Sequence, residues 1–72
     1  MVNQINGWEN TYNGQSFKVW SKGDKFLWLE RLYHESYQVS TEIDNEPMSL
    51  TYLGVFTEGE AQDIARKYME EN

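Results

Sequence analysis

The chain has 72 residues, with 12 Asp and Glu against 6 Lys and Arg for a formal charge of −6, and it has no Cys. That length allows one domain of marginal stability, a few kcal/mol, with no disulfide or thiolate metal site to add to it. The 11 aromatics argue for a packed core rather than a disordered acidic tail. No apolar run approaches ~18 residues and no basic-then-apolar leader opens the chain, so a cytoplasmic protein without membrane contact is expected.

Residues 1–7 read as a short strand or a loose end. Asn6-Gly7 and Asn13-Gly14 are two-residue hairpin signals, because both central positions of a type I′ turn need φ > 0. Lys22-Gly23-Asp24, His34-Glu35-Ser36 and Asp44-Asn45-Glu46-Pro47 are further turn signals. Between them lie runs rich in Val, Ile, Thr, Tyr, Phe and Trp, which suit a pleated surface. The expected strands are 8–12, 15–20, 25–33, 37–43 and 48–56.

The last element reads as a helix over 58–71. Thr57 is a good N-cap and Glu60 completes a capping box. Glu58 and Glu60 place negative charge in the first turn, where the helix dipole favours it. Ala61, Ile64, Ala65 and Tyr68 fall on one apolar stripe, and Asp63 and Lys67 are spaced to pair at i, i+4. Gly59 in the first turn is the one poor helix former. The expected fold is α+β: a small antiparallel sheet of three to five strands, packed on one C-terminal amphipathic helix.

Alternation along the strands sorts side chains between the two sheet faces. Tyr37, Val39 and Ile43 alternate with Gln38, Ser40, Glu42 and Asp44, which predicts a wet face on that strand. The run 25–33 is apolar on both parities, Leu27, Leu29 and Tyr33 on one and Phe26, Trp28 and Leu32 on the other. The last strand repeats this, with Leu50 and Tyr52 against Leu53 and Val55. One short helix cannot cover both faces. Three explanations follow: the N-terminal segment with Ile5 and Trp8 folds over the second face, that face is a dimer or binding surface, or the strand boundaries are misplaced. Trp20, Trp28 and Tyr52 are the expected anchors, since aromatic residues are enriched at interface cores.

The segment Tyr52-Leu53-Gly54-Val55-Phe56-Thr57, followed by Glu60-Ala61 and Ile64-Ala65-Arg66-Lys67-Tyr68, resembles the end of the ethylene-response-type plant DNA-binding domain and of phage integrase arm-binding domains. There an aromatic-Leu-Gly-x-Phe strand meets a capped, Ala-bearing helix. The peptidoglycan-binding sporulation-related domains share a similar joint. Close packing at Gly54, with Phe56 plugging the joint, would explain the pattern. The DNA-binding resemblance implies a three-stranded sheet laid in a major groove through Arg, Lys and Trp. In this chain only Lys18, Lys22, Lys25 and Arg31 would serve, while the third and fourth strands offer Glu42 and Asp44.

Catalytic chemistry is not expected. His34 is the only histidine, and consecutive His34-Glu35-Ser36 cannot turn toward one another as a triad requires. Glu42, Asp44 and Glu46 lack the glycine and terminal glutamate of a Ca²⁺ loop, and no phosphate-binding loop precedes the helix. No metal and no cofactor is implied.

Charge is the most informative feature. Positions 32–65 hold seven carboxylates and no Lys or Arg, a charge of −7; the other 38 residues hold six cations and five carboxylates, +1. Such a block repels phosphate backbones and attracts cationic surfaces. The expected function is a small acidic protein-interaction module using Glu42, Asp44, Glu46, Glu58, Glu60 and Asp63 against a partner with a basic surface. Proteins of this size and charge resemble those with which phages and mobile elements inhibit nucleic-acid-handling machinery, carboxylates standing in for phosphates. The alternatives are a sheet DNA-binding domain and a structural or regulatory homodimer.

Overall fold

The structure, a computed structural model, describes residues 5–72. The short strand or loose end expected at 1–7 therefore lies, for residues 1–4, outside the described residues. Turn chemistry punctuates the rest. Asn6 (φ 54°) and Gly7 (φ 86°) both hold positive φ, and Trp8 N donates to Ile5 O at 2.9 Å, closing the two-residue turn that Asn-Gly favours. Strand β1 (Glu9–Asn13) follows, then β2 (Phe17–Lys22), β3 (Lys25–Tyr33), β4 (Ser36–Ile43), β5 (Glu46–Phe56) and helix α1 (Glu58–Glu71). The strands pair antiparallel in chain order as one five-stranded sheet.

Asn13-Gly14 does not form a two-residue turn. Asn13 pairs with Lys18, neither Asn13 nor Gly14 has positive φ, and Gly14 N donates to Phe17 O at 2.9 Å across a wider loop. The cause lies in the next strand: Arg31 N donates to Ser16 O at 2.8 Å, so pairing with β3 holds the chain back to Ser16. The rings of Tyr12 and Phe17, 6.1 Å apart, span the loop. At the opposite end of the sheet, Gly23 (φ 62°) supplies the positive φ between β2 and β3.

Two irregularities in β5 reset its alternation. Val39 pairs with Gly54 and Ser40 with Tyr52, so Leu53 is an extra residue, a β-bulge. Between the pairs Thr41–Thr51 and Ile43–Glu46, β5 carries further unpaired residues. There the Ser49 hydroxyl takes over the ladder, accepting from Ile43 N at 2.8 Å and donating to the carbonyl of Glu46. Pro47 is tolerated because β5 is an edge strand.

The buried core consists of Trp8, Leu27, Leu29, Tyr37, Val39, Ala61, Ala65 and Met69, with Ile5, Trp20, Leu53, Phe56, Ile64 and Tyr68 packed against it. Sheet and helix residues thus share one cluster, and the sheet face that bears Leu27, Leu29 and Val39 is the core side. Trp8 is fully buried on that side, its ring 6.0 Å edge-to-face from Tyr68. Asn6 Nδ2 completes the attachment by donating to the carbonyls of Met69 (3.1 Å) and Glu70 (3.4 Å). The N-terminal segment with Ile5 and Trp8 therefore does not fold over the second face, as one expectation had it. It packs beside the helix. At the helix start, Glu60 N donates to Thr57 Oγ1 and Thr57 N to Glu60 Oε1, the reciprocal capping box.

Candidate functional site on the open sheet face

Register identifies what projects from the sheet face opposite the core. Because directly paired residues point to the same side, one row crosses all five strands: Tyr12, Val19, Trp28, Ser40 and Tyr52. A second row holds Phe17, Glu30, Gln38 and Val55, and a third holds Glu9, Ser21, Phe26 and Glu42. Tyr12, Phe17, Tyr52 and Val55 are exposed. The face therefore carries exposed apolar side chains on β1 and β2 toward one edge of the sheet and on β5 at the other.

At its centre Ser40 is only 1% exposed, although alternation predicts it to be wet. Its cross-strand neighbours Trp28 and Tyr52 stand on either side and shield it. Gln38 Nε2 donates to its hydroxyl at 3.5 Å. Ser40 is thus a buried polar position in the middle of the row, closed to solvent.

The bulge at Leu53 decides the membership of this face. Uninterrupted alternation sets Val55 with Leu53 and against Tyr52. In the structure Tyr52 and Val55 share the open face, while Leu53 packs against the core. A second bulge at Leu32, between the pairs Arg31–Tyr37 and Tyr33–Ser36, moves Tyr33 out of the Leu27 and Leu29 set. Phe17, Val19 and Tyr12, absent from the anchors read in the sequence, belong to the face because β1 and β2 extend the rows. Only pairing partners reveal that.

The expected anchors separate. Trp28 and Tyr52 stand in one row, on either side of Ser40. Trp20 pairs with Leu27, faces the core side and packs against the buried cluster, so it is not a surface anchor.

The six carboxylates of the expected acidic surface also separate. Glu42 lies on the open face, and Asp44 and Glu46 lie at the β4–β5 turn. Glu58 and Glu60 begin the helix at the far end of β5, which runs alongside β4 from Ile43 to Tyr37, about 20 Å at ~3.3 Å per residue. Glu60 is engaged in the cap. Asp63 pairs with Arg66 at 3.0 Å, not with Lys67. The single acidic surface read from the sequence is therefore corrected: adjacency along 32–65 places these groups on both sides of the sheet and at both ends. The open face has its own carboxylates, Glu30 and Glu42, of which Glu30 falls outside the acidic stretch.

Lys18, Lys22, Lys25 and Arg31, the DNA-contacting set of the alternative reading, all share the parity of Leu27 and Leu29. They point to the core side of the sheet. Lys18 Nζ donates to Asn13 Oδ1 and Gly14 O, both at 3.0 Å. Lys22 Nζ (3.0 Å) and Lys25 Nζ (3.4 Å) donate to the carbonyl of Asn72 after the helix, and Arg31 Nε to His34 O at 2.6 Å. Among the described residues no Lys or Arg projects from the open face.

His34 occupies the β3–β4 turn at φ 52°, exposed. Among the described residues no group of three His, Cys, Asp or Glu side chains is gathered as a metal site would need, and no helix is long and apolar enough to cross a membrane. Compared with known proteins, the chain matches no family model, no curated protein and no solved structure.

Proposed function

We propose that the protein is a small acidic protein-interaction module whose open sheet face receives a basic surface of another protein. The observation that carries this reading is the composition of that face: an aromatic row with Glu30 and Glu42 beside it, and no Lys or Arg among the described residues. The rings supply desolvated contact area and the carboxylates supply selection for positive charge. In this reading the helix is the amphipathic cover of the other face, supported by the burial of Ala61, Ala65 and Met69 in the cluster of Leu27, Leu29 and Val39.

A module of this kind suits the inhibition or modulation of nucleic-acid-handling machinery, in the manner of phage and mobile-element proteins, with carboxylates occupying phosphate positions in a Lys and Arg groove. Glu30 and Glu42 are separated by four residues along the strand and one strand across, about 14 Å between backbones. That spacing fits two separate cationic contacts on one partner. The test is affinity for a basic nucleic-acid-binding protein, measured by calorimetry from about 50 to 200 mM salt. Affinity should fall about tenfold across that range as the ion pairs are screened. A salt-independent affinity would remove the phosphate-mimic reading.

A further inference from the structure

We infer that the outer edge of β5 takes up an extended segment of a basic protein as a sixth strand, joined main chain to main chain. This inference rests on the protein-interaction reading above and names how the partner is held. β5 ends the sheet, so alternate residues turn their N–H and C=O groups outward, with no strand beside them among the described residues. It has 11 residues, against five in β1 at the other edge. From Pro47 to Thr57 the chain carries no charged side chain, although charge is the usual guard of an open edge. Met48 is 96% exposed, and Leu50, Thr51, Tyr52 and Val55 are exposed as well.

Carboxylates mark both ends of this neutral stretch. Asp44 and Glu46 are exposed at the β4–β5 turn and Glu58 is exposed at the start of the helix. The two ends lie about 20 Å apart along the sheet. Positions 32–65 hold no Lys or Arg to neutralise them. An added strand spans that distance in about six residues, so cations near its ends meet both groups of carboxylates while its middle pairs with the neutral stretch.

The same features decide against other occupants. Two β5 strands in antiparallel overlap would set Asp44 and Glu46 of each chain against Glu58 of the other, between chains that each carry −6. They would also bring two copies of Pro47, which has no N–H, and two copies of the bulge at Leu53 into one ladder. A plain extended segment brings neither. A nucleic-acid strand would set its phosphates against the same carboxylates.

The experiment titrates the isotope-labelled full chain at low salt with a peptide of five alternating Val and Thr residues, flanked by two Lys at each end. Two further peptides carry N-methyl groups on the Val nitrogens or on the Thr nitrogens. An added strand pairs through one of its edges only. One methylated peptide is therefore expected to bind at least about tenfold more weakly, and the other to keep its affinity. The amide resonances of Leu50, Thr51 and Tyr52 should move with the peptides that bind. Glu46→Gln combined with Glu58→Gln should weaken the unmodified peptide about fivefold, the scale of two exposed ion pairs; unchanged affinity would overturn the placement of its ends. Equal affinity of the three peptides would overturn the sixth strand and leave the acidic-module reading standing. If no peptide bound while a folded basic nucleic-acid-binding protein did, the sixth strand alone would fall; if neither bound, both readings would. β5 amide signals that move with protein concentration alone would overturn the inference in favour of a second copy.

Discussion

Gly54 adopts φ 138°, a conformation that residues with a Cβ rarely take, and a Cβ built there would meet the Phe56 ring at 2.7 Å. The glycine therefore makes room for the Phe56 ring two residues on. Its place at the joint suggests close approach of strand and helix, whereas the nearest atoms to a Cβ there belong to Phe56 of the same strand. Gly54→Ala is expected to cost about 1–3 kcal/mol in backbone strain, with a further penalty for displacing the ring. A urea titration followed by circular dichroism measures it. Asn6 combines positive φ with hydrogen bonds to two carbonyls near the helix C-terminus. The favourable turn was legible from Asn6-Gly7 itself. The attachment to Met69 and Glu70, more than 60 positions away, was not.

At the scale of elements, α1 is secured differently at its two ends. Its first turn is self-sufficient: Thr57 and Glu60 satisfy each other's backbone donors, and Glu58 adds dipole-compatible charge. Thr57→Ala should lower stability by about 1 kcal/mol in thermal or chemical unfolding. The last turn has no basic residue of its own, and positive charge reaches it from the β2–β3 turn through Lys22 and Lys25. Replacing both with Gln should cost about 0.3–1 kcal/mol at low salt and less at high salt, because exposed charge at a helix end is screened. Sequence alone makes these lysines candidates for a phosphate backbone. The pairing register turns them to the core side, where the helix C-terminus is their partner.

At the scale of the whole molecule, two sheet faces have opposite energetic roles. Trp8 is fully buried among helix and sheet residues, so Trp8→Ala should cost about 3–5 kcal/mol. That is a large part of the total for a 72-residue chain, and a substantial unfolded population is expected by circular dichroism at room temperature. Tyr52, 62% exposed, should cost under about 1 kcal/mol when replaced by Ala. The comparison separates the rings that hold the fold together from those available for a contact. If Tyr52→Ala proved as destabilising as Trp8→Ala, the open face would be structural.

Local chemistry sufficed for features that depend on residues near one another in the chain. The Asn6-Gly7 turn, the capping box at Thr57 and Glu60, and the excess of apolar residues over what one helix could cover are all of this kind. The net charge of −6 was also fixed by composition, but its arrangement was not. Seven carboxylates within 34 consecutive positions look like one surface until β5, running the length of the sheet, carries them to opposite ends. Likewise, alternation has a period of two only while pairing is unbroken. The bulge at Leu53 shifts that phase, and with it whether Val55 faces the core or the open side. A bulge is settled by competition between strands for hydrogen bonds and burial, a property of the assembled sheet. That competition leaves the aromatic row, the buried Ser40 and the absence of Lys and Arg on the described open face as outcomes of tertiary structure alone.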